Sequence, residues 1–438
     1  TKGGLIVKNF NKSIMSIIDK SFYNMLSTEK IDRLIELENN TTFRLENYPS
    51  IIIFLCTYSK YFKSLNNIDI SKYINYYFNK ILSDINTQGT INTSLTEGIT
   101  GVAFCTAHMK TFNPDNYEMI DNKIKKLFYK LTTLQIDILR KDYLLHGLKE
   151  KHYDLISGIS GNLIYLLTYD KDNIFLIKKL SSFLITLFNV DDFSKYLITN
   201  KNVDSNYMKS IHKDGYYNLS VSHGIVTPLY LLTIIKRKKI YVPGLDETIE
   251  KLTLFFESNI SNINNLYFWN GIIEKNKSYS YDYNDRNSWC YGSLSIAYIL
   301  LKTSKLTGNK KLYNIAYSSI LDFMKKNDIL NFTSPTFCHG LSGLLLILKN
   351  LYILTGDLIF HNVMLKVVQK IIDSSDKSYE YGFKDIDYSY TNYTLSRYEE
   401  INNNIGIMKG SISVLLSLSE IINNEINILS NIFLLNIN

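Results

Sequence analysis

Four cysteines in 438 residues are too few for a disulfide framework. Long apolar runs are also missing. No stretch reaches the ~18 uninterrupted residues of a membrane span before a Lys or Asn breaks it, and Thr1-Lys2-Gly3-Gly4-Leu5 opens without a secretory apolar region. Concentrated charge is equally scarce. The net charge of +7 is spread over Lys-containing helical segments, and the one dense run is Lys236-Arg237-Lys238-Lys239. That run reads as a solvated helix end, with an acidic partner or an anionic membrane surface as its other use, and nucleic acid is not a natural partner. These absences place the chain in the cytoplasm, a reducing compartment where its thiols stay available as ligands.

What the sequence does have is helix. With 45% hydrophobic and 20% charged residues, the chain can bury a large core. Amphipathic spacing recurs, as in Ile120, Ile124, Leu127, Phe128 and Leu131, and again in Leu312, Ile315, Ala316, Ile320 and Phe323. A second kind of segment is apolar nearly all round and opens on a small-residue signature. Its copies are Gly98-Ile99-Thr100-Gly101, Gly158-Ile159-Ser160-Gly161, Gly224-Ile225-Val226-Thr227, Gly292-Ser293-Leu294-Ser295, Gly340-Leu341-Ser342-Gly343 and Gly410-Ser411-Ile412-Ser413. They recur at roughly the length of a helix pair with its loops. A divergent start stands at Pro49-Ser50, with Pro in the first helical turn. The first glycine of each copy suggests an unusual backbone angle, and the small residue three positions on suggests close helix approach.

Apolar helices alternating with one-sided ones fit a ring of helix pairs better than a bundle. The expected architecture is an all-α, α/α toroid of about seven inner and seven outer helices. It forms a single domain over residues 1–438, with small irregular or β insertions near 191–219, 262–288 and 376–404. Connections of this length in compact domains are usually functional or disordered. Alternation in Tyr279-Ser280-Tyr281-Asp282-Tyr283 suggests short strands, and the three segments are expected to cap the rim and grip a peptide.

Inner helices that run the same way share one rim, so the residues just before each repeated glycine should meet there. Thr96-Glu97 and Met408-Lys409 occupy two of these positions, whereas other copies carry Asp154, His223, Cys290 and the pair Cys338-His339. Cys290, Cys338 and His339 are a natural zinc set, since thiolate and imidazole suit this borderline-soft ion. Three ligands leave a fourth position open, as in a catalytic site; a structural zinc would take His223 as its fourth ligand. Two thiolates already neutralise the ion, which favours activating a substrate thiol over water, and helix N-termini behind both cysteines favour deprotonation. Cys56 and Cys105 read as core residues.

His223 is placed to move a proton. Asp154 either orients it, donates a proton itself, or merely caps a helix. Arg286, four residues before Cys290, is a candidate clamp for an anion or carbonyl, and Tyr291 follows the second motif. Glycosidase chemistry needs paired rim carboxylates, and only Asp154 and Glu97 are there.

Trp289-Cys290-Tyr291-Gly292, Cys338-His339-Gly340 and Ser222-His223-Gly224, in this order and separation, resemble the zinc-dependent lanthionine synthetase C family from about Ile51 to the end of the chain. The resemblance implies one Zn²⁺ held by Cys290, Cys338 and His339. It also implies a lantibiotic cyclase activity, in which a cysteine of a dehydrated precursor peptide adds to dehydroalanine or dehydrobutyrine and closes a thioether ring. His223 would handle the proton, with Asp154, Arg286 and Tyr291 near the site. Without a long N-terminal dehydratase- or kinase-like region in this sequence, the resemblance is to the stand-alone cyclase, which works with a separate dehydratase and exporter at the inner membrane surface. Two other readings of the same residues are a glutathione-adding relative acting on dehydrated proteins and a zinc-stabilised peptide-binding protein. One departure is Pro228, which should shift the helix start after His223.

Overall fold

The computed structural model describes residues 10–37, 41–61, 68–88, 91–263, 266–275, 288–325, 332–390, 397–423, 425 and 428–435. Among them are seventeen α-helices and six short strands. Two compact units divide the chain: Thr1–Asn92, Thr96–Lys125 and Leu330–Asn436 form the first, and Lys126–Ile329 with Thr93–Leu95 form the second.

Each repeated start opens a helix buried on nearly every side. In the first unit these helices are Tyr48–Tyr61, Ile99–Phe112, Leu341–Thr355 and Ser411–Asn423; in the second they are Ile159–Tyr169, Val226–Arg237 and Ser293–Thr307. Residues 341–351 are buried without a break, for example, which only an apolar circumference permits. The helices that follow bury one stripe. Leu358–Asp373 covers Phe360, Met364, Val367, Val368 and Ile371, and Lys310–Lys325 covers Leu312, Ala316, Ser319, Ile320, Phe323 and Met324. Each of these packs on the helix before it. Gly308 and Gly356, with φ of 74° and 76°, end two of the fully buried helices in the left-handed conformation that turns the chain into its one-sided partner.

The repeated glycines themselves do not need an unusual angle. Gly98, Gly158 and Gly340 all have extended backbone. What Gly158, Gly224, Gly340 and Gly410 lack is room. A Cβ on Gly340 would overlap the Ser334 carbonyl and stand 2.6 Å from that of Thr336, and one on Gly410 would overlap the Gly406 nitrogen. The preceding loop folds back so tightly over the helix start that only glycine fits.

Those loops are tied to one another along the chain. In the second unit Leu95 donates to the Ile156 carbonyl (2.9 Å), Leu155 to Ser222 (3.0 Å), and Val221 and Ser222 to Cys290 (3.2 and 3.3 Å). In the first, Leu45 donates to Thr96 (2.7 Å), Phe337 and Cys338 to the Met408 carbonyl (3.1 and 2.9 Å), and the Met408 amide to the Glu46 carboxylate (2.9 Å). Successive helix starts are therefore held in register by backbone bonds, the physical basis of the expected convergence within each unit.

The insertions supply the strands. Tyr216–Asn218 pairs antiparallel with Ile272–Glu274, Ser261–Ile263 with Leu266–Phe268, and Asp385–Tyr390 with Arg397–Asn402. Tyr279–Tyr283 lies outside the described residues. No described helix is long and apolar enough to cross a membrane.

Candidate functional site

In the second unit, Asp154 sits in the turn before Gly158 with no exposed surface. Its Oδ1 accepts the Ser157 amide (2.7 Å) and the Gly158 amide, while Oδ2 accepts from His223 Nδ1 at 2.5 Å. One oxygen thus holds the turn that leads into the helix, and the other bonds the histidine ring. Because Nδ1 is committed to Asp154, Nε2 is the ring atom left to hold or move a proton.

His223 precedes a helix that begins at Val226, two residues beyond its glycine, with Ile225 as the cap. This is the shift expected from Pro228. The loop carrying His223 is fastened to Cys290, whose carbonyl also accepts from Ser222 Oγ at 3.2 Å. As a result the His223 and Tyr291 rings lie 6.0 Å apart between centroids. Desolvation lowers the His223 pKa, but the charge and hydrogen bond of Asp154, then Glu150 and Cys290, outweigh it and raise the imidazole to about 9. With that pKa the ring carries its proton at neutral pH. Desolvation, followed by Glu150 and Cys290, pushes the Tyr291 phenol well above its ordinary value. Cys290 is 6% exposed, and its Sγ is 3.1 Å from Ser288 Oγ.

Glu150 has no signal in the sequence. It begins the short turn Glu150–His152, and its Oε1 accepts from Asn218 Nδ2 (2.6 Å) and the Tyr216 hydroxyl (2.9 Å), both on the first insertion strand. Burial raises its pKa, as does Asp154, and the balance stays upward although His223 and the two donors oppose it.

In the first unit, Cys338 is 7% exposed, and its backbone N–H donates to the Met408 carbonyl at 2.9 Å. Its neighbour His339 binds Asp385 Oδ1 through Nε2 at 3.0 Å. That same oxygen accepts from the hydroxyls of Ser334 (2.7 Å) and Thr336 (2.9 Å), and Asp385 is 1% exposed. Asp385 opens a strand in the third insertion, so no helical register announces it.

Cys290 lies in one unit and Cys338 with His339 in the other. Among the described residues no three His, Cys, Asp or Glu side chains form a cluster placed to hold a metal ion. The donor chemistry nevertheless fits zinc: all four cysteines are buried thiols, two of them just before helix-start glycines, and His339 has one ring nitrogen committed to a carboxylate and the other available for coordination. Arg286 lies outside the described residues. Cys56 and Cys105 are buried core residues, as expected, with thiol pKa values pushed up by burial. His108, His152 and His212, which no repeat position favours, pair with Thr57, Asp142 and Glu274 respectively.

The chain is 25% identical over 308 residues to nisin biosynthesis protein NisC of Lactococcus lactis subsp. lactis, covering 68% of this chain and 70% of that protein. Its backbone matches the solved structure of nisin cyclase with a TM-score of 0.76, over 98% of each chain at 19% identity. This likeness shows the fold, which is of the expected all-α toroid class. The model of the lanthionine synthetase C-like protein family matches residues 48–434, and with that span covered the chain belongs to the lanthionine synthetase C-like family.

Proposed function

We propose that this chain is a lanthipeptide cyclase, a lanthionine synthetase that closes thioether rings by adding precursor-peptide cysteines to dehydroalanine or dehydrobutyrine. The observation that carries the reading is the His223–Asp154 pair, held at 2.5 Å in a loop bonded to the Cys290 turn. Michael addition of sulfur requires an activated thiolate and a proton donor, and this chain has residues for both.

Cys290, Cys338 and His339 would hold one zinc ion. When bound, zinc supplies a Lewis-acidic centre that lowers the pKa of a peptide thiol while two thiolate ligands leave the sulfur nucleophilic. The peptide sulfur bonds to the β-carbon of the dehydrated residue, and the π pair moves toward the carbonyl as an enolate. His223 Nε2 then gives its proton to the α-carbon, and the neutral ring recovers a proton released by the next substrate thiol. Asp154 holds the imidazole in the tautomer that leaves Nε2 to act and favours its charged form. Arg286 would supply a cation for the developing oxyanion, and Tyr291 a neutral phenol next to His223.

The substrate is a dehydrated precursor peptide, and a dehydratase and an exporter are the partners that supply it and carry the product away. The place of action is the cytoplasm, in a complex at the inner membrane surface. The whole chain acts as one catalytic domain, with its insertions gripping the peptide.

Incubation of the zinc-loaded chain with a dehydrated, cysteine-containing peptide tests the activity. Alkylation before and after reaction should show thiols disappearing with no change in peptide mass, because the addition is an isomerisation. Thiols that persist would contradict the cyclase reading, and a mass gain with glutathione present would replace it with glutathione addition.

A further inference from the structure

Asp385, the partner of His339, has no part in the reaction as proposed above. Asp385 enters on the hairpin strand Asp385–Tyr390, forty-six positions from His339 in sequence, and its carboxylate is almost wholly buried. Burying a carboxylate is costly unless donors satisfy it. Here three donors converge on Oδ1: the hydroxyls of Ser334 and Thr336, both in the turn that leads to Cys338, and His339 Nε2. A merely structural tie between hairpin and turn needs no charge, since the two hydroxyls would be served equally by a neutral acceptor. A carboxylate against an imidazole N–H does something further. It fixes the proton on Nε2, holds the plane of the ring, and makes the opposite nitrogen a stronger electron donor.

We propose that Asp385 is a positioning residue for metal binding: by accepting the Nε2 proton of His339, it commits that ring to coordinate through Nδ1 and raises its affinity for zinc. The inference rests on the reading of His339 as a zinc ligand. It also gives the third insertion a role in building the metal centre, in addition to the peptide contact expected of it. Ser334 and Thr336 hold the carboxylate in place through their hydroxyls.

Zinc affinity, measured by competition with a chromophoric chelator, separates this role from a structural one. Asp385→Asn keeps an acceptor for both hydroxyls and for Nε2 and removes only the charge; Asp385→Ala removes the acceptor as well. The expected result is zinc binding weakened about tenfold in the first and toward a hundredfold in the second. Circular dichroism of metal-free Asp385→Asn should match that of the metal-free wild type, and the cobalt-substituted variant should keep its thiolate-to-metal charge-transfer band. Zinc bound to wild type and to both folded variants with affinities within twofold would overturn the role of Asp385 while leaving the zinc reading intact. A wild-type chain that binds no zinc would overturn that reading, and this inference with it.

Discussion

Cys338→Ala is expected to reduce zinc from one ion per chain to almost none and to slow ring closure on the order of a thousandfold, equivalent to about 4 kcal/mol of barrier. The fold should survive. Cys338 is held through its backbone amide, which donates to the Met408 carbonyl at 2.9 Å, and alanine keeps that bond. The side chain is 7% exposed, and a cysteine-to-alanine change removes one sulfur atom from it. Cys56→Ala makes the contrast. That thiol is enclosed within Tyr48–Tyr61, and burial drives its pKa well above the ordinary value, so it cannot supply a thiolate at neutral pH. Metal analysis, circular dichroism and a thiol-alkylation assay on the two variants should separate them: Cys56→Ala keeps zinc and rings, and Cys338→Ala keeps only the fold.

His223→Ala should retain zinc yet lose roughly a hundredfold to ten-thousandfold in ring closure, the range for removing a general acid. The pH profile gives the sharper result. On the proposed mechanism His223 acts in its protonated form, and with a pKa raised to about 9 the acid would be present at neutral pH and lost as pH climbs through that value. Asp154→Asn removes the charge that does most to raise the pKa, so its alkaline limb should move toward neutrality, with a smaller loss of rate at pH 6 than at pH 8. The hydrogen bond from Nδ1 can persist in that variant, which makes the shift electrostatic in origin. An unshifted limb in Asp154→Asn would remove the carboxylate from control of the proton donor, and a full rate in His223→Ala would remove the histidine from the mechanism.

Apolar periodicity made the alternation of helices legible, because a helix buried all round must carry an apolar circumference and one at the surface need not. The repeated glycines located the helix starts, and at Gly158 and Gly340 the reason is steric and not conformational: their φ values are ordinary, and their surroundings are not. Register also carried Asp154 to His223, since loops bonded in succession bring residues just before each glycine together. Glu150 and Asp385 could not be found in this way. Both depend on insertion strands, Tyr216–Asn218 for Glu150 and Asp385–Tyr390 for Asp385, whose positions follow from tertiary pairing rather than from any period in the sequence. The same holds for His339, whose commitment through Nε2 becomes visible only with its partner in place.

The most direct test of the account is X-ray absorption at the zinc edge of the purified chain, with and without a thiol substrate. The predicted first shell at rest is two sulfurs, one nitrogen and one oxygen, changing to three sulfurs and one nitrogen when the peptide cysteine binds. A closed shell of four protein ligands that ignores added thiol, or no zinc after gentle purification, would contradict it.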